Sequence, residues 1–487
     1  MDVASATLAI AILLIILDLS IRVGAVILIP RNRKPTSATA WLLLVLFLPY
    51  VGLLLYLLIG SPRLPKRRRE RQKDIDEIIR DTTEGMDRVN RTASWPTWLE
   101  SVVELNRTLG SMPLVGGNSA RLLPNYDESI RAMADEVNRA QRYVHAQFYI
   151  LSADPATEPF FAALEAAVKR GVSVRVLLDH VASLQYPGYR KTIKRLTRAG
   201  IDWRLLLPVQ PLKGRWQRPD LRNHRKLLVV DGTVAYMGSQ NMIDRSYNRW
   251  INRKRHLQWK DLMARLRGPI VAGINAIFLT DWYGETGELL TSEVEPMEDQ
   301  VADHMLDCQV VPSGPGFEGE NNLRLFNALL YYAQEQLIIA SPYFVPDESM
   351  LYAITTAVQR GIRVELFVSE IGDQFLVSRA QRSYYRELLE AGVVIWLYHR
   401  PVVLHAKHFT VDDEVAVIGS SNMDMRSFSL NMEVSLMVRG RDFVGQLRHV
   451  EADYRRSSRR LTLEEWDDQP FWGSVVDNLA RLTSALQ

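Results

Sequence analysis

Only one cysteine, Cys308, occurs among the 487 residues. This scarcity excludes an intrachain disulfide and a metal site built from cysteines alone. The sequence also lacks a strong excess of either charge, since 59 Lys and Arg residues and 56 Asp and Glu residues give a net charge of +3. So small a net charge does not indicate a polyelectrolyte partner for the whole chain. Low-complexity tracts and repeats of solenoid length are absent as well.

Charged residues are missing from two long stretches near the N-terminus. Residues 3–17 are uncharged, and their apolar character resumes after Asp18 and Arg22, which lie one helical turn apart and could pair. Residues 38–60 carry no charge and are rich in leucine. About 20 apolar residues cross a bilayer. The sequence therefore predicts a transmembrane hairpin of two helices over residues 1–60.

Basic residues flank the predicted hairpin unequally. Residues 61–73 contain seven of them, whereas the short loop holds three, Arg31, Arg33 and Lys34. A hairpin returns the chain to the side of residue 1, and the larger basic cluster stays inside the cell. We therefore expect a multi-pass protein of the inner (plasma) membrane with a cytoplasmic catalytic domain. The basic cluster either attracts anionic headgroups or only flanks the membrane segment.

The rest of the chain reads as two similar α/β units. After a basic juxtamembrane segment and connector (61–112), residues 113–295 and 296–487 each alternate apolar strands with helices that end on glycine. The stretch 284–303 has seven acidic residues and no basic ones, which predicts an exposed connector between the units. A long loop within one fused domain is the alternative.

Six polar residues occur twice with the same spacing, 181 residues apart. The two copies are His224, Lys226, Asp231, Gly238, Ser239 and Asn241, and His405, Lys407, Asp412, Gly419, Ser420 and Asn422. A purely structural repeat usually repeats its apolar positions instead. The repeated polar residues predict one phosphate-handling half-site that is present twice.

The residue types of the motif suit a phosphodiester. Alternation along a strand puts each histidine and lysine on one face. If the copies face each other, one histidine attacks phosphorus and forms a covalent phosphoenzyme, while the other protonates the departing alkoxide. Further groups stabilise the phosphate oxygens without a metal or other cofactor. These groups are Lys226, Lys407, Asn241, Asn422, Ser239 and Ser420.

Four acidic residues are candidates for the site. Asp261 and Glu433 each precede an apolar strand that ends at an Arg-Gly pair. We assign Asp261 to His224 and Glu433 to His405 as the acceptors that fix each imidazole, with structural salt bridges as the alternative. Asp231 and Asp412 are counted as catalytic members of the motif, although their place at the far end of the strand favours a turn-forming role.

The doubled motif His-x-Lys-x4-Asp-x6-Gly-Ser-x-Asn resembles that of the phospholipase D superfamily. Residues 404–433, 312–315, 341–347 and 148–150 resemble bacterial cardiolipin synthases, as does the apolar hairpin with residues 48–52. The resemblance covers essentially the whole chain. It implies an α/β fold of two pseudo-symmetric phospholipase D-like domains, each a mixed sheet flanked by helices, preceded by the hairpin.

The resemblance also implies a ping-pong transfer. A phosphatidyl group moves from phosphatidylglycerol to a histidine, glycerol leaves, and a second phosphatidylglycerol attacks to give cardiolipin. By resemblance His224 is the nucleophile and His405 the acid and base, although pseudo-symmetry permits the exchange. The expected partners are phosphatidylglycerol, other anionic phospholipid and the membrane, and no nucleic acid. A membrane-anchored hydrolase of phospholipid or nucleic acid is the alternative, and two histidines argue against a non-catalytic lipid-binding scaffold.

Three further segments carry weaker signals. Residues 213–222 and 246–256 are basic with interleaved aromatics, which suits an anionic headgroup or bilayer surface. The former also suits nucleic acid or a solvated loop. The tail from Phe471 has the apolar spacing of a helix, which we expect to pack on the core, with insertion into the membrane as the alternative. His408 lies on the opposite strand face from His405 and is left out of the site.

Overall fold

The computed structural model describes residues 3–31, 33, 35–60, 64–83, 97–213, 217–293, 306–317 and 319–482. The boundary predicted between residues 295 and 296 and much of the acidic connector lie outside these residues. Arg215 and Trp216 of the first basic segment also lie outside them. We call residues 114–293 the first half and residues 306–482 the second half.

The described N-terminal segment has one long helix and two short ones: α1 (Val3–Leu28), α2 (Pro35–Phe47) and α3 (Pro49–Ile59). Among the described residues, α1 alone has the length and composition to cross a membrane. The run predicted as a second spanning helix is broken at Leu48, because Pro49 lacks the N–H that a continuous helix requires. The predicted hairpin is therefore corrected to one long apolar helix followed by two shorter ones.

The two short helices fold back on each other. A Cβ added to Gly52 of α3 would lie 2.7 Å from the Cα of Val45 in α2. The Trp41 and Tyr56 rings meet edge-on with centroids 5.5 Å apart. Arg33, which precedes α2, donates to the carbonyl oxygen of Gly60, which follows α3. The outer ends of α2 and α3 therefore lie side by side.

Two helices connect this segment to the body, α4 (Lys66–Thr82) and α5 (Thr97–Gly110). The strands of the first half are β1 (Leu114–Leu123), β2 (Tyr143–Phe148), β3 (Ser173–Asp179), β4 (Asp202–Leu206), β5 (Arg222–Asn223), β6 (Leu227–Val230), β7 (Val234–Gly238), β8 (Gln258–Lys260) and β9 (Met263–Arg267). Its helices are α6 (Tyr126–Arg139), α7 (Glu158–Lys169), α8 (His180–Leu184), α9 (Tyr189–Arg198), α10 (Trp250–Lys254) and α11 (Ile270–Thr286).

The second half repeats the arrangement. Its strands are β10 (Leu306–Ser313), β11 (Gln336–Ala340), β12 (Phe344–Val345), β13 (Arg363–Ser369), β14 (Val394–Tyr398), β15 (Val402–Leu404), β16 (His408–Val411), β17 (Val415–Gly419), β18 (Met423–Asp424), β19 (Asn431–Arg439) and β20 (Ser458–Leu461). Its helices are α12 (Asn321–Tyr332), α13 (Glu348–Gln359), α14 (Phe375–Arg382), α15 (Tyr385–Ala391), α16 (Met425–Ser429), α17 (Arg441–Arg456), α18 (Leu463–Asp467) and α19 (Phe471–Leu482).

Both halves contribute to one mixed sheet, in the order β20-β14-β13-β11-β16-β17-β19-β10-β1-β9-β7-β6-β2-β3-β4. Strands β2, β3 and β4 are parallel, as are β11, β13 and β14, because helices connect them in sequence. The antiparallel pair β1 and β10 joins the halves at the centre of the sheet. The predicted α/β class is confirmed, and the two units share one continuous sheet.

Helices α11 and α17 cover the centre of the sheet. Phe278 and Trp282 of α11 and Phe443 and Tyr454 of α17 are buried in one cluster with strand residues of both halves. Burying this apolar surface is the main force that holds the halves together. The relative position of the two half-sites is therefore set by a common core.

The tail helix α19 is present, but its orientation differs from the prediction. It packs on α14 through Asp477, which is 1% exposed and pairs with Arg379 and Arg382. Ala480 is buried in the core of the second half, but the larger apolar residues that are exposed are Phe471, Trp472, Val476, Leu479 and Leu482. The buried carboxylate fixes the helix through its ion pairs, so the apolar face that we expected against the core is open to solvent.

Candidate active site

Each motif histidine follows a short strand that inserts into the opposite half. Strand β5 pairs in parallel with β19, and the His224 N–H donates to the Met432 carbonyl oxygen at 2.9 Å. Strand β15 pairs in parallel with β8, and the His405 N–H donates to the Lys260 carbonyl oxygen at 2.8 Å. Since Met432 precedes Glu433 and Lys260 precedes Asp261, each histidine lies beside the acid of the other half.

The imidazoles are held by these acids. His224 Nδ1 lies 2.9 Å from Glu433 Oε1, and His405 Nδ1 lies 2.6 Å from Asp261 Oδ1. The two acids were identified correctly, but the pairing predicted from the sequence was wrong. It is exchanged between the halves because the strands that carry the histidines cross over, whereas the strands that carry the acids do not.

The motif serines support the acids of their own halves. The Ser239 hydroxyl donates to Asp261 Oδ1 at 2.7 Å, and the Ser420 hydroxyl donates to Glu433. Ser239 Oγ also accepts the N–H of Leu262 at 3.0 Å. We expected these hydroxyls to bind phosphate oxygens. In the structure they instead orient the carboxylates that orient the histidines.

The motif lysines complete a buried cluster of cationic groups. Lys407 Nζ lies 3.2 Å from His405 Nε2 and 2.8 Å from its carbonyl oxygen. Lys226 Nζ donates to the His224 carbonyl oxygen and lies 5.1 Å from the centre of the Tyr149 ring. Both lysines and both histidines are buried. The half-sites therefore form one enclosed basic centre.

Burial and neighbouring charges shift the pKa values in this centre. Burial and the charges of Lys226, Lys407 and His405 hold the pKa of His224 well below its ordinary value. Burial also lowers the pKa of Lys407 to about 8, although Asp261 and Glu433 act in the opposite direction. Groups from one half thus act on groups of the other, as expected for a single site.

The two acids differ in their protonation behaviour. Burial raises the pKa of Glu433 to about 7, although Lys226 opposes this effect. Burial also favours the neutral form of Asp261, but His405, Lys407 and the Ser239 hydroxyl outweigh it, so that the pKa of Asp261 is lowered. Asp261 is therefore the more firmly ionised partner. It opposes the effects of burial and Lys407 on His405, whose pKa is lowered less strongly than that of His224.

The two motif asparagines are not equivalent. Asn241 Oδ1 accepts the Ile150 N–H at 3.2 Å, and its Nδ2 donates to the Tyr247 hydroxyl at 2.9 Å. Asn422 is buried, and its Oδ1 has no hydrogen-bond partner among the described residues. The Asn241 amide is therefore held at both ends by protein groups, whereas the Asn422 amide is not held at Oδ1 by any described residue, so Asn422 is the better suited to direct its Nδ2 donor at a phosphate oxygen.

The motif aspartates lie at the other end of the motif strands from the histidines. The Asp231 carboxylate accepts the N–H groups of residues 141–143 at 2.8–2.9 Å. The Asp412 carboxylate accepts those of residues 334–336 at 2.7–3.1 Å. Both residues adopt positive φ, 52° and 51°. Their assignment as catalytic residues is therefore corrected: they fasten β6 to β2 and β16 to β11.

A buried ionic network beneath the first half was missed. The Arg225 guanidinium, 1% exposed, donates to Asp281 Oδ2 at 2.9 Å and to the Glu433 carbonyl oxygen at 3.0 Å. Arg68 of α4 lies 4.0 Å from Asp281 and also pairs with Glu285. The available signal was that strand alternation turns Arg225 into the core, where a charge requires a partner.

Two tyrosine rings complete the site. The Tyr149 ring meets the His224 ring edge-on at 4.7 Å, and the Tyr247 ring meets the His405 ring at 6.4 Å. The segments that carry these tyrosines, 148–150 and 246–256, were singled out from the sequence, but neither tyrosine was assigned to the site. Within the described residues, no group of three or more His, Cys, Asp or Glu side chains is arranged to hold a metal ion.

Comparisons with known proteins agree on one family. Residues 133–268 and 327–452 match the model of the cardiolipin synthase, phospholipase D-like domain, and residues 8–61 match a phospholipase D-nuclease N-terminal model. The chain is 35% identical over 468 residues to cardiolipin synthase A of Pectobacterium carotovorum subsp. carotovorum (strain PC1), with 94% of each chain covered. It is 34% identical over 484 residues to that of Yersinia pestis bv. Antiqua (strain Angola), again with 94% of each chain covered.

Solved structures support the fold. The crystal structure of phosphatidylserine synthase from Haemophilus influenzae Rd KW20 superimposes with a TM-score of 0.58 at 16% sequence identity. The match covers 79% of this chain and 98% of that chain. At this level of identity the likeness concerns the fold alone.

Proposed function

The chain belongs to the cardiolipin synthase family with two phospholipase D-like domains, and we propose that it condenses two phosphatidylglycerol molecules into cardiolipin and glycerol. One observation carries the proposal. Each imidazole is held at Nδ1 by a carboxylate of the opposite half, at 2.9 and 2.6 Å. This contact fixes the tautomer and directs both Nε2 atoms away from the carboxylates, into the shared basic centre.

In the first step His224 Nε2 attacks the phosphorus of phosphatidylglycerol. The new P–N bond replaces the P–O bond to the terminal glycerol, whose alkoxide takes a proton from His405. His224 suits this role because its lowered pKa keeps the imidazole neutral. His405 suits the role of acid because Asp261 opposes the lowering of its pKa by burial and Lys407, so that its pKa is lowered less strongly than that of His224. The product of the step is a phosphatidyl-histidine and free glycerol.

In the second step a second phosphatidylglycerol enters. His405, now neutral, removes the proton of its free primary hydroxyl, the oxygen attacks phosphorus, and the P–N bond to His224 breaks. Cardiolipin leaves and both histidines regain their starting protonation. Lys226, Lys407 and Asn422 stabilise the charge on the non-bridging oxygens throughout.

The decisive experiment uses the purified enzyme with phosphatidylglycerol as the sole lipid. The proposal predicts cardiolipin and an equimolar amount of glycerol. Phosphatidic acid without cardiolipin would contradict it and would indicate a hydrolase of the same superfamily. Because no other alcohol is supplied, the outcome does not depend on a choice of acceptor.

We further propose that α1 is the one crossing of the plasma membrane and that α2 and α3 form a re-entrant pair. Helices of 13 and 11 residues span about 20 and 16 Å, less than the roughly 30 Å of a bilayer core. The contact of Arg33 with Gly60 brings their outer ends to one side. Arg31 and Arg33 of the loop and the basic residues of 64–73 then lie on that side, which the positive-inside rule makes cytoplasmic.

The Asp18–Arg22 pair supports this arrangement. Arg22 donates to Asp18 Oδ2 at 2.7 Å and to the carbonyl oxygen of Leu46, next to the bend between α2 and α3. A backbone carbonyl without a partner is costly at membrane depth, and Arg22 satisfies one of those that the bend releases. The Asp18–Arg22 pair predicted from the sequence therefore links α1 to the bend between α2 and α3.

Tagged protein in intact cells tests the topology. With one crossing, an N-terminal tag is exposed to an added protease, whereas a C-terminal tag is digested only after lysis. Protection of both tags in intact cells would support the two-crossing hairpin predicted from the sequence and would contradict the re-entrant pair.

A further inference from the structure

Large apolar side chains are exposed on the segments that lead to the active site. They are Leu184 of α8, Leu212, Trp250 and Ile251 of α10, and Phe375 and Leu376 of α14, with exposed fractions from 47% to 102%. We call these six the rim residues. Large exposed apolar patches mark interaction sites, so the position of the rim relative to the site and to the membrane anchor decides what it contacts.

A chain of aromatic contacts leads from the site to α10. The Tyr247 ring, which meets His405, lies 5.5 Å from the Tyr186 ring. The Arg249 guanidinium lies 4.5 Å from the centre of the Tyr186 ring. Helix α10 starts at the next residue, so Trp250 stands at the outer end of one wall of the site.

Helix α14 stands beside α10 on the same side of the site. Arg255, which follows α10, and Phe375, which begins α14, line one surface cavity. The Tyr343 hydroxyl donates to Asp373 Oδ1 at 2.8 Å, two residues before Phe375. Asp373 also opposes the lowering of the Lys407 pKa, which places this loop within electrostatic reach of the catalytic centre.

The membrane anchor is fastened near the same rim. Leu64, the first described residue after the membrane segment, is 3% exposed and is buried with Leu207, Leu221 and Met432. Met432 adjoins Glu433, and the segment between Leu207 and Leu221 carries the exposed Leu212. The Val209 N–H donates to His180 of α8 at 3.1 Å, which joins this segment to the helix that carries Leu184. The chain therefore leaves the membrane next to the rim.

The charges around the rim identify the surface that it fits. Arg249, Arg253, Lys254 and Arg255 surround Trp250 and Ile251, and all four are exposed. Exposed aromatic and aliphatic side chains among basic ones are typical of segments that lie in the interface of an anionic bilayer. A protein partner of ordinary composition offers no matching excess of negative charge next to an apolar layer.

We propose that the rim residues dock into an anionic bilayer surface, so that a headgroup reaches the buried histidines while its acyl chains stay in the leaflet. The proposal rests on the proposed function, since it supplies the route for a lipid substrate. It also assigns the basic segment 246–256 to the bilayer surface. The catalytic body is then held by two attachments, the anchor and the rim.

The buried cysteine allows a test that does not depend on activity. Cys308 is buried, so a fluorophore attached to the full-length Trp250→Cys or Leu376→Cys variant labels one accessible thiol. In vesicles of phosphatidylglycerol that contain brominated lipid, we expect quenching at both positions. Tyr352 of α13 is 68% exposed, close to the 71% of Trp250, and the Tyr352→Cys variant is the matched control. Equal quenching at all three positions would overturn the proposal.

Kinetics separate docking from chemistry. In the Trp250→Ala variant we expect turnover of phosphatidylglycerol in vesicles to fall by about tenfold, because the variant no longer buries one large apolar side chain in the bilayer. Turnover of a short-chain phosphatidylglycerol dispersed as monomers should not change, and Tyr352→Ala should change neither rate. Equal losses on both substrates would overturn docking. If the wild-type enzyme instead forms phosphatidic acid from both substrates, the proposed function fails while the quenching result stands.

Discussion

Between its histidine and its lysine the first half carries Arg225, whereas the second half carries Ala406. Arg225 reaches Asp281 beneath the sheet, and Ala406 is buried in the apolar core between the halves. Through Asp281 the first half is also tied to Arg68 of α4, the helix that follows the membrane segment. Two half-sites with the same motif therefore stand on different supports, one ionic and joined to the anchor, the other apolar.

The acids that hold the two histidines also differ, in the direction of their pKa shifts. Glu433 at His224 has a pKa raised to about 7 by burial, whereas the pKa of Asp261 at His405 is lowered because its partners outweigh the effect of burial. A repeated sequence motif thus does not impose equal electrostatics. In the proposed mechanism this difference separates the nucleophilic imidazole from the one that acts as acid and base, and four predictions test how far the halves differ.

The largest effect is expected from the histidines. His224→Ala and His405→Ala should each reduce turnover by about 10³-fold or more, because the two groups act as one unit. After an acid quench, labelled lipid should remain on the wild-type chain and be absent from the His224→Ala variant. His399→Ala, which changes an exposed histidine, should keep full activity. Label retained by His224→Ala but lost in His405→Ala would show that the roles are exchanged.

Giving either motif the residue that the other motif carries at this position should reduce the free energy of unfolding. Arg225→Ala leaves the buried Asp281 without its closest cation and should reduce the free energy of unfolding by about 3 kcal/mol. Ala406→Arg places a charge against the apolar core and should cost at least as much.

Unfolding of the full-length variants in detergent micelles measures both changes in the free energy of unfolding. Arg400→Ala removes an exposed guanidinium 3.5 Å from Glu370 and is the control, with an expected loss of about 0.5 kcal/mol or less. If Arg225→Ala unfolds like this control, the ionic support beneath the first half contributes nothing.

The pKa values of both motif lysines are lowered, chiefly by burial, and Lys407 is the one that lies beside His405 Nε2. Burial lowers the pKa of Lys407 to about 8, so its ammonium group is present below that pH and is lost above it. Since Lys407 Nζ lies 3.2 Å from His405 Nε2, kcat/KM should fall by about tenfold per pH unit above 8. Lys407→Arg should remove this alkaline fall at reduced activity, because a guanidinium stays charged. Lys226→Arg should leave it in place, and a profile unchanged by Lys407→Arg would refute the assignment.

Much of the fold and of the candidate site could be predicted from the sequence. The doubled motif identified both histidines and lysines, and the Arg-Gly pairs after two strands led to Asp261 and Glu433. Apolar strands that alternate with helices ending on glycine predicted the α/β units, because both patterns are local in sequence. The exchange of the acids was not predictable in this way, because it depends on contacts between residues that are remote in sequence. Strand β5 brings residue 224 beside residue 433, about 200 positions away, and strand β15 brings residue 405 beside residue 261, about 150 positions away.

Other errors had a visible cause. Pro49 stands in the middle of the second apolar run and breaks it, yet the run was counted by length and charge alone. The tail helix was given an inward apolar face, but two arginines of α14 bind Asp477 and turn that face outward. Such choices depend on partners that are remote in sequence, which a periodicity cannot identify.

The smallest effect should come from Asp231 and Asp412, where the halves are most alike. Each carboxylate accepts three backbone N–H groups from the neighbouring strand start. Asp231→Ala and Asp412→Ala should each reduce the free energy of unfolding by about 1–3 kcal/mol, by equal amounts, because three donors lose their acceptor. Turnover by the folded variants should not change. Measuring kcat well below the unfolding temperature checks this. A loss of turnover as large as in the histidine variants would instead make these aspartates catalytic. Equal losses of stability alone would show that the repeat is kept alike where the fold requires it and varies where the chemistry needs two different imidazoles.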